Sequence, residues 1–193
     1  MAGEVEVKAR VESKEKLAKK IESLGGRFTR EVEQEDIYFV HPCRNLRERD
    51  EALRLRREGE KCILTFKGRR VGKEAKMREE VEVRVDDFEA MKNIFSQLGF
   101  EKFFTIRKSR KDFSLDGATI SLDSVEGLGE FVEIEIVVPS MEKDVVEDAN
   151  RMLELKKKLL AIAERLEVPT ERLTTESYLE MLASKSSSSI DRR

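Results

Sequence analysis

Histidine is almost missing from this chain: His41 is the only one in 193 residues. That excludes histidine-rich zinc sites and leaves most histidine-dependent triads without their base. The two cysteines, Cys43 and Cys62, fit no close-spaced metal or redox motif. Both are expected to be reduced, with Cys62 a small core residue. No apolar run approaches the ~18 residues of a membrane helix, and no signal-peptide pattern opens the chain, so a soluble, cytoplasmic protein is expected. Nor is one sign of charge in excess. With 38 basic and 40 acidic residues, a general nucleic-acid or membrane-surface binder is disfavoured.

What is present is charge, 40% of residues against 39% hydrophobic. A core is within reach, and the density is also what ion-pair networks in a thermophile would give. The length suits one domain, placed at 1–183; the polar SKSSSSIDRR tail, 184–193, has nothing to bury and is expected to be disordered. With histidine so scarce, any bound metal would have carboxylate ligands, which suits Mg²⁺ or Mn²⁺. GRRVGKE at 68–74 resembles a P-loop but is one residue short and has Glu74 where Ser or Thr is required. It reads as a basic hairpin loop.

Alternation and β-branched content predict strands at 4–11, 35–41, 52–58, 61–67, 79–85, 103–113, 117–123 and 130–138. Amphipathic spacing predicts helices after Ser13 and after Asp86 or Asp87, a longer one over 142–165 and a short one over 175–183. The chain also repeats itself. EVEVKARVESKEKLAKKIESLGGRF at 4–28 is echoed by EVEVRVDDFEAMKNIFSQLGFEKF at 80–103. Two β-α-β-β-β halves predict an α+β fold: an eight-stranded antiparallel barrel with pseudo-twofold symmetry and helices packed outside.

In EVEVKAR, Glu4, Glu6, Lys8 and Arg10 share one strand face and Val5, Val7 and Ala9 the other. Such a face is ordinarily solvated. Yet almost every strand carries one: Arg54 and Arg56, Lys67, Glu80 and Glu82, Lys108 and Arg110, Asp123, Glu133 and Glu135. The signs segregate by strand. Carboxylates crowded in a barrel interior would call for divalent cations, about two, and fixed Arg and Lys would call for phosphates. Two metals and a triphosphate would roughly balance the charge.

These residues resemble a family. E-x-E-x-K at Glu4, Glu6 and Lys8 is similar to the signature of the CYTH superfamily, the triphosphate tunnel metalloenzymes. The resemblance extends through QEDIYF, LRLR, LTFKG, the second E-x-E, K-S-R at 108–110 and LDSVEGLGEFVEIE at 122–135. Within the superfamily the chain looks most like the class IV adenylyl cyclases and their archaeal relatives. The resemblance implies a charged tunnel that takes a nucleoside triphosphate, or an inorganic or organic triphosphate, with Mg or Mn. It implies a cyclase making cyclic AMP and pyrophosphate from ATP. The alternatives are an inorganic or thiamine triphosphatase, or a non-catalytic polyphosphate-binding module. Position by position, Glu4, Glu6 and Glu133 would hold the catalytic metal, with Asp123 and Glu135 supporting it or binding a second. Lys8, Arg54, Arg56, Lys67, Lys108 and Arg110 would grip phosphate oxygens. Tyr38 and Lys67 would assist the chemistry, and Glu80 and Glu82 would orient the phosphate grips. A homodimer is left open.

Overall fold

The computed structural model describes residues 3–71, 77–138 and 145–190. Its strands are β1 (Gly3–Arg10), β2 (Arg27–Val40), β3 (Ala52–Glu58), β4 (Lys61–Val71), β5 (Met77–Val85), β6 (Glu101–Leu115), β7 (Ala118–Val125) and β8 (Gly129–Val138). Its helices are α1 (Lys14–Ser23), α2 (Phe88–Gln97), α3 (Val145–Arg165) and α4 (Tyr178–Ile190), with a 3-10 turn at Thr170–Arg172. The strands form one eight-stranded antiparallel sheet in the order β1-β8-β7-β6-β2-β3-β4-β5. Exchanging β1–β4 for β5–β8 turns that order into its own reverse, so the sequence repeat is a repeat of topology. Among the described residues, no ladder joins β1 to β5.

The last helix runs to Ile190, past its expected end at 183 and into the segment 184–193 expected to be disordered. Two further differences from the sequence reading have physical causes. β2 begins at Arg27, eight residues before the predicted start, because residues 27–31 are all exposed and show no half-buried alternation. Gly68–Val71 extends β4 rather than forming a loop, with the register slipping between Lys67 and Arg70. The rest of GRRVGKE lies outside the described residues.

The chain divides into two compact units. Unit 1 is Met1–Val5, Val32–Arg107 and Val137–Lys156; unit 2 is Glu6–Glu31, Lys108–Ile136 and Lys157–Arg193. Unit 1 contains α2, whose N-cap Asp87 accepts a hydrogen bond from the Ala90 amide (2.9 Å). Phe88 and Phe95 of α2 are buried in a cluster with Ile37, Phe39, Leu55 and Cys62. Phe95 lies against Phe39, ring centroids 4.8 Å apart. In unit 2, Ser13 caps α1 by accepting from the Lys16 amide, and α1 buries Leu17 and Ile21. The chain leaves α1 through Gly25, at φ +88°, and then Gly26, where a Cβ would stand 2.3 Å from Ile21 Cγ2. Phe113, Ile120, Leu122, Val132, Ile134 and Leu159 are fully buried in the same unit.

Candidate functional site

In unit 1 the polar faces of four strands meet through their register. Asp36 lies opposite Arg56, Tyr38 opposite Arg54, Arg54 opposite Thr65, Thr65 opposite Glu82, and Lys67 opposite Glu80. Each of these pairs is close enough across the ladder to interact. Arg56 grips Asp36 with both arms of its fork, Nε to Oδ1 at 2.6 Å and Nη2 to Oδ2 at 2.7 Å. Arg54 donates to Thr65 Oγ1 (3.0 Å), which donates to Glu82 Oε1 (2.8 Å). Lys67 is ion-paired with Glu80. Arg54 Nε is buried with no hydrogen-bond partner among the described residues. Burial pushes the Tyr38 phenol above its ordinary pKa against the pull of the Arg54 cation. Tyr38 is therefore a proton-bearing donor near neutral pH rather than a base.

In unit 2 the charged cluster is more enclosed. Asp123 is fully buried and accepts from Lys108 Nζ (3.0 Å), Arg110 Nε (2.8 Å) and Nη2 (2.7 Å), and the Tyr178 hydroxyl (2.9 Å). Glu133 accepts from Arg110 Nη2 at 3.1 Å, and its other oxygen is 3.5 Å from Lys8 Nζ. Lys8 also donates to Glu6 Oε1 at 2.6 Å. Glu135 follows Glu133 by one alternation in β8, opposite Thr119. Burial opposes ionisation of both acids, but Lys108 and Arg110 hold Asp123 below its ordinary value. Arg110, Lys8 and Lys108 hold Glu133 well below. In return, Glu133 and Glu6 outweigh burial and raise Lys8, while Glu133 and Asp123 do the same for Arg110. Burial, then the Glu133 and Asp123 charges, push the Tyr178 phenol well above its ordinary value. Asp123, Glu133, Lys8 and Arg110 are therefore charged near neutral pH, and Tyr178 is neutral.

The expected site residues thus fall into two groups. Tyr38, Arg54, Arg56, Lys67, Glu80 and Glu82 share the face in unit 1; Glu6, Lys8, Lys108, Arg110, Asp123 and Glu133 form the cluster in unit 2. The side chain of Glu4 lies outside the described residues. Sequence reasoning passed over Asp36 and Tyr178. Asp36 had a signal, since Gln34, Asp36 and Tyr38 alternate on one side of β2. Tyr178 had none: it begins the last helix, far along the chain from every residue it touches.

Glu6 and Glu133 both reach the Lys8 ammonium, so two hard-oxygen ligands already converge there. Glu4 stands one alternation before Glu6 in β1. Asp123 is instead occupied by its four donors. Among the described residues, no group of three or more acidic, histidine or cysteine side chains is gathered as a metal site. The carboxylate chemistry of Glu6 and Glu133 fits Mg²⁺ or Mn²⁺.

The protein is thus an antiparallel-sheet protein of repeated topology whose strands carry buried, ion-paired Arg, Lys, Asp and Glu in each unit. The chain belongs to the CYTH domain family, whose sequence model matches residues 2–178. It is 36% identical over 178 residues to a Methanocaldococcus jannaschii protein named as an inferred adenylate cyclase; the match covers 92% of this chain and 97% of that one. A solved structure from Pyrococcus horikoshii OT3 is similar at 35% identity and TM-score 0.76, covering 94% of this chain and 99% of its own. Another, a conserved hypothetical protein from Pyrococcus furiosus, is similar at 33% identity and TM-score 0.73, covering 92% and 98%. Among the described residues, no helix is long and apolar enough to cross a membrane.

Proposed function

We propose that this protein is a divalent-metal-dependent enzyme acting on a triphosphate, and specifically an adenylyl cyclase that converts ATP to cyclic AMP and pyrophosphate. The observation that carries the reading is the burial of the charged strand faces. Lys8, Arg54, Lys108 and Arg110 are only 3, 8, 5 and 8% exposed. Solvated decoration would leave such side chains in water, because removing a charge from water is costly unless it is compensated. Fixed cations of this kind are suited to phosphate oxygens. The resemblance to the archaeal protein named as an inferred cyclase supports the finer choice of reaction.

In this reading Arg54, Arg56 and Lys67 in unit 1, and Lys8, Lys108 and Arg110 in unit 2, provide positive charge for the phosphates. Asp36, Glu80, Glu82 and Asp123 hold those cations in place, so the field exists before the substrate arrives. Tyr38 donates a hydrogen bond and does not remove a proton. Glu6 and Glu133, with Glu4, would hold a divalent cation, which when bound supplies positive charge where phosphate charge develops. For the cyclase, the ribose 3′-hydroxyl attacks the α-phosphorus, its proton passes to solvent, and the bond from the α-phosphorus to the bridging oxygen breaks as pyrophosphate leaves.

The test is to incubate the protein with ATP, tripolyphosphate or thiamine triphosphate and Mg²⁺ or Mn²⁺, resolving cyclic AMP, pyrophosphate and orthophosphate. Cyclic AMP with equimolar pyrophosphate is expected from ATP. Orthophosphate alone would replace the cyclase by a triphosphatase. No turnover of any of the three, with either metal, would overturn the enzyme reading. Glu6→Gln should abolish the activity while leaving the melting temperature close to that of the wild type.

A further inference from the structure

Ser177 and Glu180 bracket the start of α4 in a reciprocal cap. The Ser177 hydroxyl accepts from the Glu180 amide (3.2 Å), and Glu180 Oε2 accepts from the Ser177 amide (2.7 Å) and hydroxyl (2.8 Å). This S-x-x-E box makes Tyr178 the first residue of the helix. The helix is then docked within unit 2 at further points. Thr174, just before it, exchanges both backbone hydrogen bonds with Lys8, N to O at 3.0 and 2.8 Å. Farther along, Lys185 Nζ donates to the Gly127 carbonyl (2.7 Å).

So anchored, the Tyr178 ring has an ammonium near each of two neighbours, Lys8 Nζ at 5.2 Å and Lys108 Nζ at 5.1 Å from its centroid. Its edge meets Phe131, ring centroids 5.1 Å apart. Its hydroxyl donates to Asp123, the acid that also receives Lys108 and Arg110. One side chain therefore touches two of the three cations of unit 2 directly and reaches the third through their shared carboxylate. An aromatic ring attracts both ammoniums and fixes where each stops. An aliphatic side chain of similar size would fill the space and do neither.

We propose that Tyr178 is a positioning residue for triphosphate binding: its ring sets the places of Lys8 and Lys108, and its hydroxyl holds Asp123 turned toward Lys108 and Arg110. This rests on the reading of the protein as a triphosphate enzyme and adds a residue to it from outside the charged strands. The ring carries the larger share, since Asp123 keeps three other donors when the hydroxyl is removed.

The test uses the full chain with Mg²⁺ and compares wild type, Tyr178→Phe and Tyr178→Leu. KM and kcat are measured on the substrate the wild type turns over, and tripolyphosphate affinity by calorimetry. Tyr178→Leu should raise KM and weaken tripolyphosphate binding about 10-fold with kcat within about 3-fold, and Tyr178→Phe should restore both to within about 3-fold. In parallel, the ε-methylene NMR signals of Lys8 and Lys108 should lie upfield in the wild type through the ring current, remain there in Tyr178→Phe and move downfield in Tyr178→Leu. If the wild type binds triphosphate and Tyr178→Leu binds it equally well, the proposal is overturned and the enzyme reading stands. If the wild type binds no triphosphate, both are overturned. Should Tyr178→Leu fail to fold, Tyr178→Phe decides with the wild-type spectra: a phenylalanine that loses the affinity, or wild-type lysines without upfield shifts, would sink the role given to the ring.

Discussion

Units 1 and 2 are built from the same repeat, and each brings three cations to three carboxylates, but they bury them differently. In unit 1 the opposing acids are Asp36, Glu80 and Glu82, with side chains 5, 13 and 51% exposed. In unit 2 they are Glu6, Asp123 and Glu133, at 35, 0 and 9%. The apolar residues follow the same division. Of the ten largest fully buried side chains, eight lie in unit 2 and only Leu55 and Thr65 in unit 1. Of the seven exposed large hydrophobics among the described residues, six (Val81, Val83, Ile94, Leu98, Val137 and Leu153) lie in unit 1 and only Phe28 in unit 2. A charge cluster in a dry surrounding has strong interactions and a high cost for any missing partner. In unit 2 the driest acid is Asp123, which holds Lys108 and Arg110 at the centre of its cluster. In unit 1 the acid nearest water is Glu82, where a pairing is weaker and easier to exchange for a ligand.

The largest effect that would sharpen this contrast comes from removing one charge in each unit. Asp123→Asn leaves Lys108 and Arg110 buried beside a neutral amide and should cost about 3–5 kcal/mol of unfolding free energy. Glu82→Gln, at a half-exposed position, should cost less than about 1 kcal/mol. Urea denaturation of both variants checks it, and equal losses would remove the distinction.

Apolar truncation should follow the same order. Phe113→Ala empties a fully buried site in unit 2 and should cost about 3–5 kcal/mol. Val83→Ala, at an exposed position in unit 1, should stay within about 0.5 kcal/mol. The same denaturation curves serve, with an unchanged m-value expected for both.

Acid should give the smallest of these effects per pH step. Asp123 and Glu133 have folded-state values held below their unfolded ones, so their contribution is fully present above about pH 4.5 and is lost as pH falls through the depressed values. Glu35 in unit 1 is also lowered: burial opposes it, and Arg107 and Arg57 overcome that penalty. The melting temperature should therefore hold from pH 7 to about 4.5 and decline below, with Glu133→Gln showing the shallower decline. A decline as steep as the wild type's would mean that the buried acids of unit 2 do not carry the acid sensitivity.

Much of this was open to reading along the chain. Period-2 alternation placed all eight strands, since a half-buried strand writes its two faces into neighbouring residues. The duplicated E-x-E segment disclosed the repeat of two β-α-β-β-β halves before any register was known, whereas the strand order came from the structure. The charged faces of β1, β3, β5, β6, β7 and β8 named most of the residues now seen in the two clusters. β2 was harder, because its first residues are exposed on both sides and carry no alternation.

What only the tertiary structure decided is which charges meet and how dry they are. Alternation shows that side chains share a face but not whether water covers it, and that difference separates surface decoration from a site. Pairing depends on register: Asp36 meets Arg56 and Asp123 meets Arg110 because hydrogen-bonded ladders place them opposite each other. Tyr178 depends on more still, since a cap in the final helix delivers its ring to lysines from β1 and β6. Local sequence determines strand, face and cap because those rest on neighbours along the chain. Partner and burial rest on neighbours in space, so folding alone selects them.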